Sequence, residues 1–571
     1  MRITMLQASL RAGLPVLGVV LACARLQAND YFVAPGGTPF GPGTLAQPYA
    51  LATALAGQVG GPGDTFWLRG GDYKLGHMDT TVHGSPGRPV TFRQVSGENA
   101  RIDGSISVFN SIGYVVFRDF ELYASDSKRA SSQIGAGLNP TDISIVTGIA
   151  CYTPNLSCIN LVVHDQTRHG VYTGETATNV LVYGCILFNN GWSSPDNAEG
   201  HGIYAQGLIG TRTLANNIVF NNPGVNLHVY ENGPGRNLVG VTLDGNVAFN
   251  AGSIQNVRPY RDWIVGVDLP AGYADNIVLT HNMGFRLPDL STQTEAQIGR
   301  DATNGTVVLT DNYLPLGLLM NNWRTATVTG NLFAPRLTNA YVVGLNQTLA
   351  PLSADWDNNT YVSLPAGNEA LLDLVPYSFS EWQIATGFDR DSIFAVGDVQ
   401  GTKVFVRTNL YERGRANIVV YNWNNRDNVR VDVASVLPVG LGFEVRNAQD
   451  FHAPPVMSGV FDGQPLRLPM TNLTVAVPNG PMLTPPPTGP TFNVFVLLSH
   501  PEALQIRHVG SSVQVYWPVS FGANALQFNG NPANAAGWAD STSTPAVVGD
   551  QFMITEPVGA GAKFYRLRTA R

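Results

Sequence analysis

One short motif recurs along the middle of the chain and restricts what it can fold into. Asn217-Ile-Val-Phe220 returns as Asn246-Val-Ala-Phe249 and Asn282-Met-Gly-Phe285, with looser copies at Asn312-Tyr313, Asn331-Leu-Phe333 and Asn359-Thr-Tyr361. Successive asparagines lie 29, 36, 30, 19 and 28 residues apart, the uneven period of stacked repeats whose loops vary while their strands do not. Each copy follows a short β-branched run, such as Val239-Gly-Val-Thr-Leu243, Asn276-Ile-Val-Leu-Thr280, Gly305-Thr-Val-Val-Leu-Thr310 or Ala326-Thr-Val-Thr329. Short runs of this kind bounded by Asn and Gly read as strands.

One strand pair per coil, with no helical pattern between, predicts strands stacked in parallel along an axis, each coil burying its apolar face on its neighbours. Crossovers between parallel strands are right-handed, and asparagine side chains at the turns hydrogen-bond neighbouring backbone. The reading is all-β: a right-handed parallel β-helix solenoid over 29–375, then two further modules. From 376 to 500, Gly401–Asn409, Ala416–Trp423 and Val429–Val433 alternate with turns as in an antiparallel β-sandwich, closed by the run Phe492–Leu498. A small C-terminal β module over 501–571 carries Val513–Trp517, Gly537-Trp538 and Phe564–Leu567.

Two stretches near the start, Gly61-Pro-Gly-Asp-Thr-Phe-Trp-Leu-Arg-Gly-Gly-Asp-Tyr73 and Pro86-Gly-Arg-Pro-Val-Thr-Phe92, resemble the opening coils of secreted bacterial polysaccharide-processing members of the pectin-lyase-like β-helix superfamily. The resemblance covers residues 29 to 375 and implies a carbohydrate polymer as substrate. Both tail modules resemble accessory β domains of secreted carbohydrate-active proteins.

Charge narrows the partner. With 34 basic and 41 acidic residues the chain carries a net −7 at pH 7, which argues against nucleic acid, since phosphate binding draws on a basic face. An anionic polysaccharide stays open, because a local arginine and histidine cleft can sit on an acidic protein. Met1-Arg2, Arg11, the apolar stretch Ala12–Cys23 and small residues at Ala24 and Ala28 read as a secretory signal peptide over 1–28, placing the mature chain in an extracellular or periplasmic space. Val20-Leu-Ala-Cys23 also resembles a lipobox, which offers a lipid anchor on Cys23. No later segment supplies the roughly 20 apolar residues of a transmembrane helix, and the chain reads as a monomer. Cys151 and Cys158 lie close enough in a polar loop to bridge, whereas Cys185 in an apolar run reads as core.

In a β-helix the inward side chains fill the core, so chemistry falls to outward residues aligned across coils. His169-Gly-Val-Tyr172, His201-Gly-Ile-Tyr204 and Leu227-His-Val-Tyr230 read as one register. With Val171, Ile203 and Val229 inward, alternation turns Tyr172, Tyr204, Tyr230 and His228 outward, with Gln206 following. Arg168, Glu199, Glu231, Arg258 and Arg261 lie in the flanking loops. For β-elimination in a uronate polymer, His201 or His228 would be the base and Tyr204 or Tyr230 the acid. Gln206, Arg168, His169, Tyr172, Arg258 and Arg261 would bind substrate, with Glu199 and Glu231 beside them.

The resemblance implies alternatives. Many β-helix lyases use Lys or Arg as base with acidic calcium ligands. No such acidic cluster or lysine stands on these coils, so no cofactor is expected and calcium lacks support. Gly200-His201-Gly202 resembles the Gly-His-Gly of β-helix polygalacturonases, but the Asn-Thr-Asp, Asp-Asp and Arg-Ile-Lys elements of that family are missing. A hydrolase would need paired carboxylates from Glu199, Glu231, Asp196, Asp262 and Asp268. An epimerase would use the residues of the lyase, and a non-catalytic glycan-binding protein would use the aromatic ladder alone.

Overall fold

The structure, a computed structural model, describes residues 28–268, 272–290, 295–349, 351–500, 504–523, 525–559 and 561–568. Cys23 and all of the expected leader but Ala28 lie outside the described residues. The chain winds into the expected right-handed parallel β-helix. It has three strands per full coil rather than a pair, because the His/Tyr runs form a face of their own. The first face is a 12-stranded parallel sheet from Asp30–Thr38 to Ser353–Asp357. The second carries the repeat strands Ile186–Phe188, Ile218–Phe220, Val247–Phe249 and Met283–Phe285. The third carries Val171–Thr173, Ile203–Ala205, Leu227–Glu231, Trp263–Val267 and Glu295–Ile298.

The asparagine repeat sits at the bend between the first two faces. The residue before each ladder asparagine has positive φ: Asn216 at 54°, Gly245 at 64°, His281 at 54°, Asp311 at 55°, Gly330 at 71° and Asn358 at 57°. Asn, Asp and Gly tolerate this left-handed conformation best. Beyond the bend each asparagine donates through Nδ2 to the next, Asn217 to Asn246 at 2.8 Å, Asn246 to Asn282 at 3.1 Å and Asn282 to Asn312 at 3.0 Å. The same nitrogen donates to a backbone carbonyl one coil back, as Asn282 does to Leu243 at 2.8 Å. Cys185 takes the ladder position one coil earlier and its N–H donates to Asn217 Oδ1 at 3.0 Å. Cys151 and Cys158 do not bridge: both are free and wholly buried in the β-helix core, as is Cys185. Their strands turn the side chains inward from what the sequence suggested was a polar loop.

The repeat phenylalanines point outward. Phe188, Phe220 and Phe249 stack at 5.1 and 4.9 Å between ring centroids, and Phe492 of the sandwich lies 4.4 Å from Phe285. The sandwich, a five-stranded and a two-stranded antiparallel sheet, covers this row with Val419, Tyr421, Val494 and Val496. The β-helix runs beyond residue 375: helix Phe379–Thr386 buries Phe379 and Trp382 against the last coils, and Ile393–Val396 pairs in parallel with Thr360–Ser363. The sandwich therefore begins at Thr402–Thr408. The C-terminal module packs Val515, Trp517 and Phe552 on Phe32, Trp67 and Val95 of the opening coils. No helix among the described residues is long and apolar enough to cross a membrane.

Candidate functional site: an imidazole and tyrosine ledge on the open face

The third face builds its outward row by simple alternation. Val171, Ile203, Leu227 and Val229 are wholly buried, so Tyr172, Tyr204, His228 and Tyr230 face outward. The register differs from the sequence reading in one respect: Tyr204 pairs with His228, and Tyr230 lies two residues further along the strand. A shift of two keeps every side chain on its face, so parity alone does not choose between the two registers.

The His-Gly pairs have a packing cause. A Cβ on Gly202 would lie 2.0 Å from Val219 Cγ1 and 2.9 Å from the Asn226 carbonyl oxygen. Gly200 has φ 123°, and a Cβ there would lie 2.2 Å from Gly191 Cα. Close coil-to-coil approach thus accounts for Gly-His-Gly here.

Hydrogen bonds fix the protons on the imidazoles. His201 N–H donates to His169 Nδ1 at 3.2 Å, and Val225 N–H donates to His201 Nδ1 at 3.0 Å. A neutral imidazole that accepts at Nδ1 carries its proton on Nε2. His201 Nε2–H faces Glu199 Oε1 at 3.0 Å and His228 Nδ1 at 2.9 Å. His228 therefore also accepts at Nδ1 and holds its proton on Nε2. Burial, with the neighbouring His201, pushes the pKa of His169 and His228 well below the ordinary histidine value, so both stay neutral. Both His201 nitrogens are occupied and its ring is buried. The pair expected to supply a base is arranged as a set of donors.

Around them the phenols are ordered by Gln206. Tyr172 OH donates to Gln206 Oε1, whose Nε2 donates to Tyr204 OH at 3.4 Å and to Glu231 Oε2 at 3.1 Å. Tyr204 is left with its own proton to offer. Tyr230 OH donates to Asp268 Oδ2 at 2.7 Å, and Arg300 grips the same carboxylate while lying over the Tyr230 ring at 5.5 Å. Burial raises all three tyrosines, which remain phenols.

Each remaining expected residue has a definite place. Burial raises Glu199, but His201, Arg168 and Arg258 outweigh it and hold the carboxyl below its ordinary value. Arg168 Nε is buried with no hydrogen-bond partner, and its charge is felt by Glu199, His169 and Tyr172. Glu231 turns inward with the parity of Val229 and is wholly buried, which corrects its expected place beside a substrate. Its Oε1 has no partner, and burial with nearby Glu175 raises its pKa to about 7. Arg258 bonds Asn197 Oδ1 at 2.8 Å and lies over Tyr260, and Arg261 pairs with Glu295 at 3.4 Å. Asp262 is a buried brace between Asn226 and Arg286.

Three residues of the ledge were not singled out in the sequence. Phe109 and Tyr152, both 42% exposed, stack at 4.5 Å and extend the row from Tyr172. Each directly follows a strand, Ala100–Val108 and Ile149–Cys151, and Arg300 comes from a coil with no His/Tyr motif. The aromatic path then runs Tyr152, Tyr172, Tyr204, His228, Tyr230, with centroids 5.5, 5.5, 5.1 and 4.5 Å apart.

Fold and site together define a parallel β-helix protein with an aromatic and imidazole ledge on its uncovered face. No family model matches the chain, and no curated protein does. Among solved structures it is similar to pectate lyase Pel9A at 14% identity, covering 58% of this chain and 79% of that one with a TM-score of 0.38. It is similar to the GH136 lacto-N-biosidase from Eubacterium ramulus at 12% identity, 65% and 68% coverage and a TM-score of 0.37. A mannuronic acid specific polysaccharide family 6 lyase from human gut microbiota shares 15% identity over 64% and 87% of the two chains, with a TM-score of 0.35.

Proposed function

We propose that this protein is a carbohydrate-active enzyme that cleaves a uronate-containing polysaccharide by β-elimination, with sugar rings lying along the Phe109–Tyr230 ledge. The observation that carries this reading is the pair of neutral donors, His228 Nε2–H and the Tyr204 hydroxyl, on rings stacked 5.1 Å apart, with the Arg168 charge felt at Glu199 and Tyr172 along the same row. Elimination needs the uronate carboxylate neutralised, a base for the adjacent C–H proton and an acid for the leaving oxygen. Arg168 and the His228 donor take the carboxylate. An imidazole kept neutral by its surroundings can stabilise the enolate that develops there. Tyr204 gives its proton to the departing glycosidic oxygen. Glu199, ionised beside Arg168, accepts the carbon-bound proton and returns it through solvent to Tyr204. Hydrolysis needs a second free carboxyl to pair with Glu199 and is less well served, since Asp268 is tied to Arg300 and Glu231 faces inward. The leader-like sequence of residues 1–28 supports the reading that the protein acts outside the cytoplasm, which the N-terminal sequence of exported protein tests.

The test is incubation with pectic, alginate and glycosaminoglycan polymers, following ultraviolet absorbance of the unsaturated uronide together with new reducing ends. Both signals should rise, and both should collapse in Tyr204→Phe and Glu199→Gln. Reducing ends without absorbance would overturn elimination in favour of hydrolysis. Binding without either signal would make the ledge a glycan-binding surface.

A further inference from the structure

The covered side of the β-helix holds a second group of chemically capable side chains, remote in sequence and unused by the ledge. Glu121 on Glu121–Tyr123 and His164 on Val162–His164 come from paired strands of neighbouring coils, and His452 reaches them from the sandwich. His164 Nε2 lies 3.0 Å from Glu121 Oε1, and His452 Nε2 lies 3.4 Å from Glu121 Oε2. The three ligand atoms all fall within 4.8 Å of one another. A tetrahedral ion with bonds of roughly 2.0–2.1 Å places its ligand atoms about 3.3 Å apart, so a small rotation of His452 closes the set.

Two features separate this cluster from an ordinary ion-pair network. The far nitrogen of His164 is held by Asp165 Oδ2 at 2.7 Å, and that carboxylate is fixed in turn by Arg129 Nη1 at 2.6 Å and Asn479 N–H at 2.9 Å. A carboxylate behind an imidazole is the support that orients a metal-ligating histidine. Arg101 Nε also lies 3.0 Å from Glu121 Oε2, so with His164 on the other oxygen the carboxylate is already satisfied, yet His452 aims at it as well. A cleft of about 630 Å³ opens onto Glu121 and His452, leaving space for a water as fourth ligand.

We propose that Glu121, His164 and His452 bind a divalent transition-metal ion of the zinc type, which ties the sandwich to the β-helix. Two imidazoles and one carboxylate suit such an ion and disfavour calcium or magnesium, which take all-oxygen sites. The proposal is independent of the elimination reading.

The full-length protein, stripped with EDTA and dialysed, is titrated with Zn²⁺ by calorimetry, and with Co²⁺ by visible absorption. One equivalent should bind with a tetrahedral Co²⁺ spectrum. His452→Gln and Glu121→Gln should each weaken binding at least tenfold, while His228→Gln leaves it unchanged. The His452 side chain is 37% exposed, so its substitution leaves the fold intact, which near-ultraviolet circular dichroism checks. The proposal is overturned by the lack of a saturable equivalent, by binding indifferent to both substitutions, or by binding lost in His228→Gln instead.

Discussion

Two faces of one β-helix, built on the same coils, have opposite fates. The second face repeats itself: asparagine at the bend, phenylalanine outward, coil after coil, with the sandwich closed over the row. The third face varies: its outward positions read Tyr172, Tyr204, His228 and Tyr230, and at its end Phe109 and Tyr152 each stay 42% exposed. Identical residues stacked at one position satisfy each other's hydrogen bonds and ring faces, and that is a structural solution. Different residues at aligned positions leave protons and lone pairs unspent, and those are what a substrate can use.

The sharpest way to break this contrast is to truncate one member of each row. Phe249→Ala should cost about 3–5 kcal/mol by opening a cavity between β-helix and sandwich, read as a lower urea midpoint. Tyr204→Phe should leave that midpoint in place and lower turnover about 10²–10⁴-fold, the usual share of a general acid. Equal losses of stability in the two variants would erase the distinction between the faces. Asn282→Ala strips partners from Asn246 Nδ2 and the Leu243 carbonyl, a loss of about 1–3 kcal/mol for each buried group left unmade. Denaturant titration checks this.

The smallest effect concerns a carboxyl buried beneath the ledge. Glu231 has its pKa raised from 4.5 to about 7, so the native state holds this proton more tightly than the unfolded chain does. Its contribution to stability is full below pH 4.5 and is lost as pH rises through about 7. Glu231→Gln should flatten that part of the stability profile, measured by unfolding across a pH series, while an unchanged slope would mean that the carboxyl is solvated in the native state.

Much of this was legible in the chain. The spacing of Asn217, Asn246 and Asn282 could serve no other plan than stacked coils, and the parity of Val171, Ile203 and Val229 placed the tyrosines outward. The proton positions were not legible. They depend on Val225 N–H reaching His201 Nδ1 and on His201 Nε2 meeting Glu199, contacts set by loop paths of variable length. The sequence reading places Glu231 in a loop beside substrate, although the alternation that buries Val229 also turns it inward, and its consequence for charge emerged only once Gln206 and Glu175 were seen beside it.

The sequence by itself determined the architecture, because a periodic solution repeats its signal at every coil and tolerates noise in any one of them. Only the tertiary structure decided what the outward residues can do. Register shifts of two leave the pattern of buried and exposed positions unchanged, yet they choose whether Tyr230 or His228 stands beside Tyr204. Likewise Glu121 and His164 stand on neighbouring coils with no shared motif, and His452 meets them only because the sandwich folds back over the coils.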